Sequence, residues 1–236
     1  MAETLSVPRR FNGPLESGHG GYCSAVIADF VDGPAEVSLR SPVPLETSLD
    51  VRRENGSVRV LDGETLVAEA TPAPELDLEI PDPVIPEEAR AAKARYRGTT
   101  EDLFSHCFVC GRARQDALGV FAGAVEGRDL VASPWTPPDW TTDESGEVAP
   151  EFVWAVMDCP TFFAVYPDSR PLSFLGRMTA RLDAPVTAGE EHVVMAWPLE
   201  AEGRKRHAGS AVLTADGTPL AVARSLMIEP REQSTA

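Results

Sequence analysis

Apolar residues recur at helical spacing in two places along the chain. Tyr22, Ala25, Val26, Ala28 and Phe30 do so over Gly21–Val31, and the run EFVWAVMDCPTFFAV does so over Glu151–Val165. Elsewhere the apolar runs are short and punctuated by turn signals, the pattern of antiparallel strands. Val58–Ala70 carries Asp62-Gly63 between two such runs, and Ala211–Ser225 carries Asp216-Gly217 in the same place. Asp-Gly is a strong hairpin signal, because both residues tolerate positive φ. Val37–Arg52 aligns with Ala180–Trp197: each has a strand-like run, an arginine, a Pro-Val pair, a polar turn and a second strand.

The chain therefore reads helix-then-strands twice, an α+β class. The second half adds a strand pair before its helix, turning at Glu126-Gly127. Between the halves, Thr71–Glu88 is dominated by prolines and acids, which oppose regular structure and suit a surface connection. Pro86–Arg97 is then predicted as a short helix, with proline and acids at its start and bases toward its end. The expected division is a first unit at 1–72, a linker with a short helix at 73–100, a second unit at 101–230 and a tail at 231–236. Duplicated units fused in one chain point to an ancestor that worked as a dimer, and a homodimer of the fused chain is a further expectation.

Composition narrows the partners. The net charge is −16 over 236 residues, which argues against nucleic acid, a partner that calls for a basic face. A few local arginines can still hold a phosphate in an acidic chain. No run approaches the roughly 20 apolar residues that span a bilayer, so no membrane partner is expected. MAETLSVPRRFNG lacks the apolar core of a signal peptide, and a cytoplasmic location with the four cysteines as thiols is the expectation.

Three stretches carry candidate chemistry and a family resemblance. FNGPLESGHGGYCSAVIA, HCFVCGRARQDALGV and VWAVMDCPTFFA are similar to segments of double-hotdog proteins of the acyl-CoA thioesterase-like superfamily. The resemblance covers most of Phe11–Glu229 outside the linker. It implies a double hotdog, each unit a long central helix wrapped by a curved antiparallel sheet. It also implies hydrolysis of an acyl-CoA or acyl-carrier-protein thioester, with coenzyme A as part of the substrate and no further cofactor.

The residues fit that chemistry in a stated way, each beside a plainer reading. Glycine costs about 1 kcal/mol inside a helix, yet Gly20 and Gly21 open the first one after His19. They either let a thioester carbonyl approach the free N–H groups at the helix start, or merely allow tight helix packing. Asp158 stands in an otherwise apolar helix, where a carboxylate is costly unless paired or working. It is the candidate base or nucleophile, with Thr161 orienting water; the plainer role is capping near Pro160, which interrupts the helical pattern. Glu151 and Asp29 are lesser candidates. Asp29 lies one residue later than the family spacing, and the second helix opens with Ala149-Pro150-Glu151 rather than glycines, so one site split between the halves is expected.

For binding, the resemblance places the acyl chain in an apolar tunnel between the halves, near Tyr22, Trp154, Met157, Phe162 and Phe163. It sets Arg204, Lys205 and Arg206 toward the CoA phosphates, unless they are simply a solvated strand edge. Cys107-x-x-Cys110 beside His106 invites a zinc reading, but a structural site needs four ligands and no second ligand pair is visible. Cys23 and Cys159 read as core thiols, and no metal is expected. A Gly-x-Ser-x-Gly elbow, a P-loop and a dinucleotide fingerprint are all missing from the sequence.

Overall fold

The computed structural model describes residues 3–98, 102–169 and 171–231. Parts of the expected linker (99–100) and tail (232–236) lie outside them. The chain forms β1 (Glu3–Leu5), α1 (Gly20–Ala28), β2 (Ala35–Leu39), β3 (Leu49–Glu54), β4 (Ser57–Asp62), β5 (Thr65–Pro72) and α2 (Pro86–Lys93). It continues with β6 (Gly123–Ala124), β7 (Val131–Trp135), α3 (Pro150–Val165), β8 (Phe174–Leu182), β9 (His192–Glu202), β10 (Lys205–Leu213) and β11 (Pro219–Ile228).

All eleven strands join one antiparallel sheet in the order β1-β3-β4-β5-β2-β8-β11-β10-β9-β7-β6. Apart from the outermost β6, the order is a palindrome about the β2–β8 seam, where Val37 pairs with Met178. The likeness extends to single backbone bonds. Gly18 N–H donates to Val43 O at 2.8 Å, and Val148 N–H to Val186 O at 2.9 Å. His19 N–H donates to Phe11 O and Ala149 N–H to Thr141 O, both at 2.9 Å. The Pro-Val pairs seen in the sequence therefore hold the two helix entrances in the same way. This correspondence sets Asp158 opposite Ala28, and Cys159 opposite Asp29.

The sheet's two halves read differently because they are covered differently. In β3 and β4, buried and exposed residues alternate over most of their length, as on a sheet with one wet face. In β9 the run His192–Trp197 is buried throughout. Val194 faces the helices, while Val193, Met195 and Trp197 meet α2 and the linker on the other side. The segment after β5 closes a second apolar layer with Leu76, Leu78 and Ile80. Each helix has local reasons for its limits. Pro150 occupies the first turn of α3, where it costs no hydrogen bond. Pro160 does not end α3, which runs on to Val165 as expected; of the three expected helix C-termini the other two fall earlier, α1 stopping at Ala28 and α2 at Lys93.

Among the described residues no helix is long and apolar enough to cross a membrane. Expressed alone, residues 1–72 would expose the β2 edge and the α1 face that packs on α3, with too little core left to order them. Such a fragment is expected to be insoluble or unfolded by NMR; a dispersed, monomeric spectrum would contradict this.

Candidate active site

The paired glycines are explained by how closely the two central helices approach. A Cβ on Gly21 would lie 2.7 Å from Trp154 O, 2.8 Å from Asp158 Cβ and 3.0 Å from Ala155 Cα. No side chain fits there, and the tight-packing reading of Gly21 holds. The approach brings Gly21 N–H to Asp158 Oδ2 at 2.8 Å, so this amide fastens the carboxylate instead of remaining free. Among the described residues Gly20 N–H meets no acceptor, leaving it as the donor at the start of α1 that a ligand can use.

Asp158 is 6% exposed. Burial raises its pKa, opposed by the nearby His19 charge and the Gly21 bond. His19 Nδ1 lies 3.6 Å from Asp158 Oδ2, and its Nε2 lies 3.2 Å from Cys159 Sγ. Burial works against the imidazolium most strongly, but the anionic character of Cys107 and Asp158 outweighs it and the His19 pKa is raised. Asp158 Oδ1 has no protein donor among the described residues and is the oxygen open to a water or ligand.

These groups border a cavity of about 520 Å³ between the two halves. Its walls come from the α1 start, the segment after β2, the cavity-facing side of α3 and the first residues of β8. Phe162 and Phe163 line it, as does Arg204. Several expected residues lie elsewhere. Trp154 and Met157 are buried in the core away from the cavity, because α3 is enclosed on nearly every side and helical period alone does not pick the face that meets a ligand. Tyr22 stacks on Phe11 at 4.4 Å between ring centroids. Thr161 donates its hydroxyl to Asp158 O at 2.6 Å, a bond within α3 that takes it away from any water in the cavity.

The basic stretch also divides. Arg204 sits at the cavity and donates to Glu229 O at 2.9 Å. Arg206 lies 3.6 Å from Glu229 Oε1 and over the Tyr166 ring, and Lys205 is exposed at the start of β10. Because β10 lies between β9 and β11, these bases mark a hairpin end and not a sheet edge. Sequence reasoning missed Phe104, Phe174 and Leu175 as cavity walls. It also read Cys159 as a core thiol, although it faces the same cavity as Cys107 and Cys110.

Among the described residues, the opposite end of the helix pair brings together no equivalent groups. Asp29 is exposed, and Ala28 stands where α3 has Asp158. At the α3 start, Phe152 packs on Phe11, with ring centroids 5.6 Å apart, and on Trp140 at 5.4 Å.

No known sequence-family profile matches the chain, and neither does any curated protein. Solved structures do resemble it. The tesB protein of Mycobacterium avium subs paratuberculosis aligns over 97% of this chain and 92% of its own, with 12% identity and a TM-score of 0.59. A conserved protein of unknown function with a hot dog fold from Alicyclobacillus acidocaldarius covers 98% and 93%, with 12% identity and a TM-score of 0.60. A protein from Novosphingobium aromaticivorans DSM 12444, described as a candidate thioesterase, covers 97% and 95%, again with 12% identity and a TM-score of 0.60. At these identities the likeness is one of architecture, and it establishes that the chain has the hotdog fold.

Proposed function

We propose that the chain is a double hotdog, two tandem units at 1–72 and 101–230 joined by 73–100, that hydrolyses an acyl-CoA or acyl-carrier-protein thioester. The palindromic strand order and the matched backbone bonds at the two helix entrances support the tandem reading. The hydrolase reading is carried by one observation: a buried carboxylate, Asp158, projects into an inter-unit cavity beside a helix start with an unused N–H. A volume of about 520 Å³ lies within the ordinary range for a small-molecule site. The thioesterase description of the Novosphingobium aromaticivorans neighbour agrees with it.

In this reading Asp158 Oδ1 takes a proton from water as the oxygen attacks the thioester carbonyl. Gly20 N–H, at the positive end of α1, stabilises the charge that develops on the carbonyl oxygen. The carbon–sulfur bond then breaks as Asp158 returns its proton to the leaving sulfur, giving the free thiol and a carboxylic acid that ionises on release. Gly21 and His19 hold Asp158 in position. The acyl chain lies against Phe162, Phe163 and Phe174, and Arg204 meets a CoA phosphate at the mouth.

The rival is a non-catalytic acyl-CoA binder, favoured by the Gly21 amide being already spent on Asp158. Release of free thiol from a panel of acyl-CoAs, measured beside a thermal-shift screen, separates the two. The proposal expects turnover for at least one chain length; thermal shifts with no thiol release across the panel would establish the binder. Arg204→Ala is expected to raise KM several-fold with a smaller change in kcat, since a phosphate contact is shared by ground and transition states. Its salt dependence should also weaken. Equal KM values in both proteins would move the phosphate elsewhere.

A further inference from the structure

Three side chains that make or break no bond in the hydrolase reading converge on one point, with a fourth beside them in the same cavity wall. Cys107 Sγ lies 3.8 Å from Cys159 Sγ, and Cys159 Sγ lies 3.2 Å from His19 Nε2. The donor atoms of His19, Cys107 and Cys159 all fall within 4.8 Å of one another. Cys110 follows in the same turn as Cys107 and lines the same cavity. We infer that Cys107, Cys110, Cys159 and His19 are the ligands of a structural zinc ion.

Geometry supports the inference first. Zinc takes sulfur at about 2.3 Å and imidazole nitrogen at about 2.0–2.1 Å in a tetrahedron, which sets sulfur atoms about 3.8 Å apart and sulfur from nitrogen about 3.5 Å. The Cys107–Cys159 separation matches the first value and the His19–Cys159 separation comes within a few tenths of an ångström of the second, while the Cys110 side chain, buried in the same loop, would close the tetrahedron. Ligand type supports it next. Three thiolates and an imidazole are a soft set that suits zinc and discriminates against magnesium and calcium. The Cys-x-x-Cys turn is folded for the task, with Gly111 N–H on Cys107 O at 2.8 Å and Val109 N–H aimed at Cys107 Sγ at 3.4 Å.

The surroundings agree. With Nε2 on the metal, the proton of His19 resides on Nδ1, the nitrogen that lies 3.6 Å from Asp158 Oδ2. A carboxylate behind a metal-bound histidine is the usual outer partner of zinc. That tautomer gives up the long Tyr22 N–H contact to Nδ1 at 3.4 Å. The ion would also help to anchor a loop that has no regular helix or strand of its own. Residues 105–122 contain no helix or strand, yet Phe108, Val109, Leu118 and Val120 within them are buried. Zinc would tie this loop to α1 and α3 at the cavity wall. Four protein ligands leave no open position, so the ion has no part in attacking the thioester. The second ligand pair that the sequence lacked is His19 and Cys159, supplied by two helices from different halves.

The site goes beyond the hydrolase reading and does not depend on it. Its test is the zinc content of the full-length chain, purified without chelator and measured by inductively coupled plasma mass spectrometry. One zinc per chain is expected. Exchange with cobalt chloride is expected to give tetrahedral d–d bands and a thiolate-to-cobalt charge-transfer band. Cys107→Ser and Cys159→Ser should each weaken zinc binding by about tenfold or more, whereas Cys23→Ser, outside the cluster, should retain it. Should the serine variants not fold, the cobalt spectrum of the unaltered chain decides alone. No bound metal after incubation with zinc chloride would overturn the site, as would cobalt bound without the charge-transfer band or a Cys107–Cys159 disulfide in place of metal. None of these measurements uses substrate, so a chain that holds zinc but hydrolyses nothing retires only the hydrolase reading.

Discussion

Asp158→Asn is expected to lower thioester turnover by about 10²–10⁴ while leaving the affinity for a non-hydrolysable thioether analogue unchanged. The substitution keeps the size of the side chain and an oxygen to accept the Gly21 N–H, so the helix crossing survives. What it removes is the group that takes a proton from water. Stability should change little, because the buried carboxylate is held in its charged form at a cost: its pKa is raised by burial in spite of His19 and Gly21. Rates are best compared with zinc supplied in excess to both proteins, since Asp158 also backs His19. A fall in affinity equal to the fall in turnover would mean that Asp158 shapes the cavity and does no chemistry.

Gly21→Ala carries the largest expected effect on stability. Alanine would ordinarily improve a helix by about 1 kcal/mol over glycine. Here its Cβ would enter the space of Trp154 O and Ala155 Cα, backbone atoms of α3 that cannot turn aside. The overpacking penalty of about 1–3 kcal/mol should exceed the helical gain and lower Tm by several degrees. Gly20→Ala should cost less stability, because the atoms nearest its Cβ would be side-chain atoms of Leu175 and Asp158, which can give way more readily than backbone. It should instead impair turnover by crowding the carboxylate. Calorimetry on both variants checks the order; a Gly21→Ala chain as stable as the parent would remove the packing explanation for the glycine pair.

Much of the architecture was legible because it rests on local patterns. The Asp-Gly pairs at 62–63 and 216–217 both sit in hairpins, and Val43 and Val186 both bond the segment that enters a helix. These are short-range signals with a direct backbone cause. The covering of β9 on both faces was written in its unbroken apolar run, yet that run does not say what covers it. The cavity walls were harder to read. α3 is apolar nearly all round, so only the packed structure tells Phe162 and Phe163 from Trp154 and Met157. The cysteine cluster was out of reach for a different reason: His19 and Cys159 are 140 positions apart, and nothing local marks them as partners. Gly21 shows a third limit, since the atoms that exclude a side chain there belong to the other half of the chain.

One comparison bears most directly on the claim that a single site works between the halves: kcat of Asp158→Asn against kcat of Asp29→Asn, at matched melting temperature and on one active acyl-CoA. Asp29 is exposed at the end of α1, and the helix start that would complete its site carries proline in place of glycine. The expected result is turnover lost at Asp158 and nearly unchanged at Asp29. Turnover retained in Asp158→Asn and lost in Asp29→Asn would contradict the account and place the chemistry at the other end of the helix pair.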